Sequence, residues 1–587
     1  MIKIPGQFGW RQNNESDRLG SIWSSFNLDL INEGKLRVSP RSKITTDDIT
    51  NLGVAIGFER FNGEANGFYT VAGDRAFETA SVDASVAFSA SNGATTHSAD
   101  TADIMFFVKA NRLVTSMQTT LQSHNGGAGG AWASVAGSPL VGGTVHMLAQ
   151  YGNRGYVTDN YKTVISFDTS MNTTATGNPN TFSLGTLDTN NIGLRFSKIL
   201  AGSDRIWLFT VNGALGRPCS TFTWDGATQD DPIAEYVHEH GGVLAATLIN
   251  DVPIVMTVEG FLETFNGGTF VKVSNSRLPI DKNKYLKNTF SALNDRWIHP
   301  NGLISVENRK LNILINNEYQ DGTIEERMPS GVWEFDLDNT ERGWYHKLSL
   351  SLYTSSITDY GQNRVSRVGG LFFAKTEDGD GTLLMGAQLF SDATATKEVI
   401  ETDDTADAVQ KYGYVVTPKI YSNEIEDVWQ ALIARHRKLL DSSDKIIVKY
   451  RVSDVASAEA TVTWSDTDTF TSTDADFANY IAGDEVEVIQ GTGSGKCAHI
   501  SSISEAGGTY TVNLDETFTG ATGTAKVRMQ KWQKSISTSD QTVLWSKFPL
   551  TDLRASPWIQ IKLCMQFTGK DEIDDLILSN TANQKAE

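Results

Sequence analysis

The chain has 587 residues, of which 70 are acidic and 50 basic, so its formal net charge is −20. A protein that binds duplex DNA stably usually presents a basic patch to the phosphates, so this balance argues against stable DNA binding. An acidic wall past which DNA slides remains compatible with it, because like charges repel. Hydrophobic residues make up 40% of the chain, and this composition with this length predicts several folded domains.

Targeting and redox signals are weak. The first seven residues contain no apolar segment of the signal-peptide type, and no run of about 18 apolar residues predicts a membrane-spanning helix. The cysteines Cys219, Cys497 and Cys564 are too few and too far apart for a disulfide framework. We therefore expect synthesis in a reducing cytoplasm and stabilisation by a hydrophobic core.

From about residue 55 to 395, short apolar runs broken by Gly, Asn, Asp and Thr predict strands and turns. A weak repeat consists of an apolar strand, a polar turn, a second apolar strand and an Asp or Asn turn. Its copies are 155–159 with 163–168, 205–209 with 221–226, 252–256 with 261–267, 311–315 with 332–336, and 371–374 with 383–386. Looser copies lie at 67–71 and 104–108.

This repeat predicts a β-propeller. A four-stranded blade takes about 40–50 residues, so the span would hold about six to eight blades. A large β-sandwich, or two sandwiches in series, is the alternative. We assign residues 46–400 to the propeller and residues 1–45 to an N-terminal arm and first strand.

The pattern changes near residue 400, where the acidic segment 401–407 is typical of a linker. Segment 425–440 has apolar residues at a 3.6-residue period, which predicts a helix, with a bulged strand as the alternative. Residues 401–455 and 531–587 predict a β-sandwich. Residues 456–530 predict a small barrel of SH3 or OB type inserted into it. The predicted fold class is therefore all-β.

Two loops imitate ligand-binding motifs. The Gly-rich segment 491–497 resembles a phosphate loop, but Gln490 and Cys497 stand where that motif needs Gly and Ser or Thr. We predict a hairpin turn. Asp378 and Asp380 open like a calcium loop, yet the Gly and Glu required further on are missing, so we predict a β-turn.

Other polar and aromatic residues suggest sites only weakly. His238 and His240 share one face of a predicted strand, but two imidazoles alone do not make a metal site. Trp344 and Tyr345 could stack on a sugar, and packing in a blade core is the favoured interpretation. No Gly-x-Ser-x-Gly elbow occurs. Paired carboxylates for glycoside hydrolysis are set by the fold, so a propeller glycosidase stays open. We predict no cofactor, no metal and no enzymatic activity.

A family resemblance rests on both ends of the chain. Segments 6–12 (GQFGWRQ), 17–21 (DRLGS), 26–30 (FNLDL) and 33–41 (EGKLRVSPR) resemble the opening of tail nozzle proteins (tail tubular protein B) and related propeller proteins of tailed phages. In that family an Arg-Pro pair closes a strand, whereas here Arg37 and Pro40 are separated by two residues. The segments 448–452 and 557–561 are similar to the end of such phage proteins.

The resemblance implies a non-enzymatic virion structural protein, made in the host cytoplasm and built into the phage tail. Such proteins form rings of six subunits around the DNA channel. They contact the tail tube or adaptor and the fibres, and let genome DNA pass without specific binding. The implied assembly arm carries Gln7, Trp10, Arg11, Asp17, Arg18, Arg37 and Arg41.

Alternatives remain for the arm and for the whole chain. The arm could reach a neighbouring subunit, or fold back as the strand that closes the propeller. The chain could also be a glycan- or receptor-binding propeller on the tail exterior, or a propeller glycoside hydrolase.

Overall fold

The chain folds almost entirely into antiparallel β-strands, which confirms the predicted all-β class. The computed structural model describes residues 2–4, 24–26, 28–29, 36–38, 41–44, 55–61, 67–72, 75–79, 89–90, 103–117, 119–125, 131–141, 146–173, 180–187, 193–212, 219–278, 298–307, 309–316, 331–338, 340, 343–349, 364–375, 381–390, 396–403, 411–421, 429–442, 444–452, 457–491, 497–518, 520–550, 558–567 and 572–580. Helical structure among them is one α-helical turn, α1 (Leu184–Leu187), and short 3-10 turns. No helix in these ranges is long and apolar enough to cross a membrane.

The strands follow one another in three groups. The first group is β1 (Ile2–Ile4), β2 (Ser24–Phe26), β3 (Leu28–Asp29), β4 (Leu36–Val38) and β5 (Arg41–Ile44). The second group is β6 (Ala55–Arg60), β7 (Phe68–Ala72), β8 (Arg75–Thr79), β9 (Ser89–Ala90), β10 (Ile104–Phe107), β11 (Arg112–Met117), β12 (Thr120–His124), β13 (Ala133–Pro139), β14 (Leu148–Tyr151), β15 (Arg154–Asp159), β16 (Thr163–Phe167), β17 (Thr181–Ser183), β18 (Leu194–Ala201), β19 (Ile206–Asn212), β20 (Cys219–Trp224), β21 (Ala234–His238), β22 (Val243–Ile249), β23 (Val252–Thr257), β24 (Phe261–Phe265), β25 (Phe270–Arg277), β26 (Leu303–Val306), β27 (Lys310–Ile315), β28 (Gly331–Asp336), β29 (Trp344–Ser349), β30 (Arg364–Lys375), β31 (Gly381–Phe390) and β32 (Thr396–Asp403). The third group is β33 (Lys411–Val416), β34 (Ile420–Tyr421), β35 (Trp429–His436), β36 (Lys445–Arg451), β37 (Ala458–Asp466), β38 (Thr469–Ser472), β39 (Glu485–Gln490), β40 (Cys497–Ala506), β41 (Thr509–Leu514), β42 (Thr524–Gln530), β43 (Gln533–Thr538), β44 (Trp545–Pro549), β45 (Trp558–Phe567) and β46 (Glu572–Asn580).

The second group, with β5, forms seven four-stranded antiparallel sheets. Six sheets take four consecutive strands each, from β6–β9 to β26–β29, and the seventh has the order β30-β31-β32-β5. The first strand of each sheet contacts the first strand of the next, and β30 contacts β6. The seven sheets therefore make a closed series, which we call the sheet cycle.

Apolar side chains fill the space between neighbouring sheets of the cycle. The cluster that joins the seventh sheet to the first combines Leu384 and Ala374 with Phe68 and Phe77. Glycine is required at one position of this contact. A Cβ on Gly386 would lie 1.7 Å from the carbonyl oxygen of Ala55, so the two backbones can approach this closely only without a side chain there.

The predicted Asp or Asn turns recur at the end of the third strand of four consecutive sheets. Asp168, Asp225 and Asn266 each follow an aromatic residue that ends a strand. Their Oδ1 atoms accept two backbone N–H groups each; in Asp225 these come from Ala227 and Thr228, both at 2.8 Å. Asp336 accepts from the Asp338 N–H at 2.9 Å. A short polar side chain thus replaces the backbone partner that the turn lacks.

The remaining strands of the first and third groups form two further sheets and a barrel. One sheet has the order β3-β4-β46-β35-β44 with β1 beside β46, and the other has the order β2-β33-β45-β36-β43 with β34 beside β45. We call these two sheets the sandwich sheets. A shared apolar core joins them and continues into the fifth and sixth sheets of the cycle, through residues such as Leu432, Leu563 and Trp333.

The helix predicted over 425–440 is wrong for residues 429–440, the part of the segment that the structure describes. Residues Trp429–His436 form β35, paired with both β44 and β46. The register shifts between Trp429 and Ala431, and again between Arg435 and His436. Along β35 the alternation of buried residues breaks once, where the adjacent Ala431 and Leu432 are both buried, and this spacing imitates a helical period. The bulged strand, kept as the alternative, is the structure.

Strands β37 to β42 close into a barrel between β36 and β43. Along β37 the residues Ala460, Val462 and Trp464 are buried, and Thr461 and Thr463 between them are exposed. This alternation with period two is that of a strand with one face in a core. The barrel core, which includes Phe470 and Phe477, is separate from that of the sandwich sheets.

Candidate functional site

The predicted assembly arm can be followed only in part. Gln7, Trp10, Arg11, Asp17 and Arg18 lie outside the described residues. Arg37 lies on β4, opposite Asp29 and Glu572, and Arg41 lies on β5, opposite Asp403. Both strands therefore pair within the same chain.

The motif-like segments are placed between or on strands. Gly491, with a φ of +89°, follows β39 in the connection to its antiparallel neighbour β40, and residues 492–496 lie outside the described ranges. Asp378 and Asp380 also lie outside them, between the paired strands β30 and β31. Trp344 is fully buried, with its ring centroid 5.2 Å from that of Phe335, so it packs in a core and offers no face to a sugar.

The two histidines of the 238–240 segment share one carboxylate. Glu263 receives His238 Nδ1 at 2.8 Å on Oε2 and His240 Nδ1 at 2.6 Å on Oε1. Nε2 of the buried His238 also meets Thr221 Oγ1 at 2.7 Å. Burial alone would raise the pKa of Glu263, but the two imidazoles outweigh it and hold the pKa below its usual range.

This arrangement links the fourth sheet to the fifth. Thr221 and His238 come from the fourth sheet and Glu263 from the fifth. The order hydroxyl, imidazole, carboxylate is that of a nucleophile relay, but Thr221 and His238 are buried and no substrate atom could reach them. Among the described residues, no group of three or more His, Cys, Asp or Glu side chains could hold a metal ion.

A second polar group, the inner cluster, lies where the first strands of the sheets meet. It consists of Glu59 on β6, Asp103 just before β10, Lys198 on β18, and His299 and Asn301 just before β26. The register of β18 shifts between Phe196 and Lys198, a bulge of the kind that re-aims a side chain.

Asn301 connects sheets that are not neighbours in the cycle. Its Nδ2 donates to Asp103 Oδ1 at 2.8 Å, and its Oδ1 accepts from Lys198 Nζ. Asn301, Asp103 and Lys198 belong to the sixth, second and fourth sheets, so these bonds cross the middle of the cycle.

The carboxylates of the inner cluster also bind backbone amides of the next sheet. Asp103 Oδ2 accepts from the Leu148 N–H at 3.0 Å, and Glu59 Oε2 accepts from the Phe106 N–H at 3.1 Å. Consecutive sheets are thereby joined by side-chain bonds at their first strands.

Burial dominates the electrostatics of the inner cluster. It raises the pKa of Asp103 and of Glu59, and it lowers the pKa of Lys198, because each charged form is desolvated. Burial, together with the Lys198 charge, lowers the pKa of His299 to about 3. Its Nδ1 accepts the Asn301 N–H at 3.1 Å, which fits a neutral ring with the proton on Nε2.

A third group, the barrel clamp, lies where the barrel meets a sandwich sheet. Glu485 of the barrel is almost completely buried. It receives Lys562 Nζ at 3.3 Å on Oε1 and Lys449 Nζ on Oε2. Lys562 also lies 4.5 Å from the ring centroid of Tyr414. His499 Nε2 lies 3.9 Å from the same carboxylate.

The clamp keeps its charges despite burial. Burial would raise the pKa of Glu485, but Lys449 and Lys562 reverse the effect and leave that pKa far below its usual range. Burial works to lower the pKa of each lysine, and the carboxylate outweighs it, so both values are raised. Burial lowers the pKa of His499, as does Lys449. The ion group therefore bridges β39 of the barrel and the neighbouring sheet strands β36 and β45.

Sequence reasoning missed both the inner cluster and the barrel clamp. Lys198 precedes the apolar run Ile199–Ala201 of β18, and Lys449 and Lys562 follow apolar residues on their strands, so each position carried a weak signal. Their partners are distant in sequence. Lys198 is 103 positions from Asn301, and Lys562 is 77 positions from Glu485.

The comparisons with known proteins add little. No protein-family model and no curated protein matches the chain. Among solved structures it is similar to the computationally designed Ika8 protein, with a TM-score of 0.31 and 12% identity, over 60% of this chain and 97% of that one. A similarity at this TM-score carries no argument about the protein.

Proposed function

We propose that the chain is a non-enzymatic structural protein of a phage tail. In this proposal it is a nozzle or tail-tube component that forms an oligomeric ring, with six copies, around the DNA channel. Its partners are the tail tube or adaptor and the fibres, and genome DNA passes without specific binding. The proposal rests on the N-terminal and C-terminal resemblance together with the architecture.

We further propose that the sheet cycle is a seven-bladed β-propeller in which β5 supplies the closing strand. Its supports are the contacts between consecutive first strands and the apolar clusters between neighbouring sheets. In the proposed domain organisation, residues 1–45 are the arm and first strand and 46–400 are the propeller. Residues 401–455 and 531–587 are the sandwich, except that residues 401–403 end β32 of the seventh sheet, and 456–530 are the inserted barrel.

The observation that carries the functional proposal is the distribution of the N-terminal strands. Within the first 44 residues, β1, β3 and β4 join one sandwich sheet, β2 joins the other, and β5 joins the seventh sheet. One short segment therefore fastens three sheets. With the barrel clamp, these pairings join both sandwich sheets, the barrel and the seventh sheet of the cycle, which suits a component that bears load.

The described polar groups favour structure over chemistry. In the inner cluster, one carboxylate oxygen of Glu59 and one of Asp103 each accept a hydrogen bond from a backbone amide of the neighbouring sheet. A glycoside hydrolase needs two carboxyl groups facing a sugar, so we do not propose that activity. The net charge of −20 suits a surface past which DNA slides.

The proposal is tested on phage particles that carry this gene. Particles are purified, separated into heads and tails, and analysed by quantitative mass spectrometry and immunogold labelling. We expect the protein in the tail fraction, near its tip, in several copies per particle. Its absence from purified particles would overturn the proposal, and gold at fibre ends would favour a receptor-binding role.

A further inference from the structure

Two exposed sheet edges carry opposite charge. The basic edge consists of Arg435, Lys438, Leu440, Leu544, Trp545 and Lys547, at and beyond the β35–β44 pair. The acidic edge consists of Asp231, Ile233, Glu235, Val237 and Glu239, along and beside β21. β44 ends one sandwich sheet and β21 ends the fourth sheet of the cycle.

The basic edge combines cations with unusually exposed apolar groups. Trp545 is 59% exposed and Leu440 is 69% exposed, and Arg435 lies directly opposite Trp545 in the strand register. Lys547, two residues along β44 from Trp545, and Lys438, two residues after the end of β35, are exposed as well. Two acids, Asp441 and Asp540, border this edge, so its excess of cations is moderate but contrasts with a chain of net charge −20.

The acidic edge has the matching composition. Ile233 is 56% exposed and Val237 is 53% exposed, and they alternate with the exposed Asp231, Glu235 and Glu239. Glu235 and Val237 lie on β21 and share one side of it, and Asp231, Ile233 and Glu239 flank the strand. Glu235 also accepts a hydrogen bond from Ser220 Oγ at 2.5 Å, which holds it on this side.

We propose that the basic edge of one subunit docks on the acidic edge of a second copy of this chain. Charge complementarity selects this occupant, because copies of a strongly acidic chain repel one another except where a basic surface meets an acidic one. The contact would also bury the exposed apolar groups of both edges, and removing apolar surface from water is favourable. The two edges differ, so the contact is head-to-tail, the type that closes into rings.

This inference rests on the proposed oligomeric function and names the surfaces that build the oligomer. The test uses the full-length chain in native mass spectrometry and sedimentation velocity over a concentration series. The basic-reversed variant carries Arg435→Glu and Lys547→Glu, and the acidic-reversed variant carries Asp231→Lys and Glu239→Lys. Glu235 stays unchanged because of its bond to Ser220.

Each reversed variant alone should be monomeric where the wild type is oligomeric. An equimolar mixture should recover oligomers with equal numbers of both variants, because every contact is complementary again when the two alternate. Trp545→Ala should raise the concentration needed for assembly about 10-fold or more, as expected for a central aromatic contact. Ile481→Ala and Lys445→Glu, at exposed positions elsewhere, should leave it unchanged.

The outcomes separate this inference from the proposed function. A wild-type oligomer that survives both charge reversals would overturn the inference alone, because assembly then uses another surface. A wild type that stays monomeric at every concentration would overturn the inference and the oligomeric role together. Duplex DNA bound by the wild type and released by Lys547→Glu, with no effect on assembly, would assign the basic edge to nucleic acid and also overturn it.

Discussion

Replacing Glu485 by glutamine tests the barrel clamp. The side chain keeps its size and loses its charge, so Lys449 and Lys562 remain buried without a carboxylate between them. Removing one partner of a buried ion pair typically costs about 3–5 kcal/mol, because the remaining charge is uncompensated.

A second argument gives a similar magnitude. One of the two buried lysines, Lys449 or Lys562, can lose its proton, which removes the uncompensated charge. At pH 7 that deprotonation costs about 4.6 kcal/mol for a lysine with an ordinary pKa of 10.4, at 1.36 kcal/mol per unit. The Tyr414 ring beside Lys562 offsets part of the cost. We therefore expect the free energy of opening at the barrel interface to fall by about 3–5 kcal/mol.

The assay is native-state hydrogen exchange read by mass spectrometry, because a chain of several domains does not unfold in a single step. Peptides from β39 and β40 should lose protection in Glu485→Gln, and peptides from the sheet cycle should not. Between pH 7 and 10 the variant should regain stability, since its buried lysine then loses a proton at lower cost.

The matched control is Asp204→Asn. Asp204 and Arg205 form an exposed ion pair, which is worth less than about 1 kcal/mol. If Glu485→Gln also changes protection by less than about 1 kcal/mol, the clamp does not hold the barrel in place and the reasoning fails.

Three further predictions concern the sheet cycle. His299, whose pKa is lowered to about 3, stays neutral when folded and binds a proton near pH 6.5 when unfolded. Between pH 6.5 and about 3 its presence should therefore lower the stability of the sheet cycle by about 1.4 kcal/mol per pH unit, and native-state hydrogen exchange should show a smaller pH dependence in His299→Asn. Gly386→Ala should destabilise the contact between the seventh and first sheets by about 1–3 kcal/mol, read by native-state hydrogen exchange in peptides from β31 and β6. Gly268→Ala, where the added Cβ meets no atom within 4 Å, should have no such effect, and equal effects would contradict the close approach. Glu263→Gln should lower the free energy of unfolding by about 1.5–3 kcal/mol at neutral pH. Because the pKa of Glu263 is lowered in the folded chain, this difference from wild type should shrink as the pH falls through that pKa, and a difference independent of pH would argue against a charged carboxylate.

Much of the strand content could be predicted from alternation and turn residues. The paired segments 205–209 and 221–226, for example, lie on β19 and β20, which are antiparallel neighbours. The recurring Asp or Asn after an aromatic strand end was visible because it satisfies a purely local need for hydrogen bonds. The helix predicted for segment 425–440 was wrong because the adjacent Ala431 and Leu432 on β35 are both buried, which breaks the alternation that identifies a strand.

The polar clusters could not be predicted because long-range pairing creates them. Lys562 and Gln560 alternate with Ile559 and Ile561 on β45, a pattern that predicts one buried and one solvent-exposed face of the strand. Both faces are buried, because the barrel covers the polar face. The inner cluster needs the second, fourth and sixth sheets to be brought together before Asn301 can bridge Asp103 and Lys198.

The most direct test of the assembly role is cryo-electron microscopy of tails from phage particles that carry this gene. We predict density for the sheet cycle, sandwich and barrel repeated around an open channel, with the basic edge of each copy against the acidic edge of the next. A tail channel without this density, or single copies projecting from the tail surface, would contradict the account.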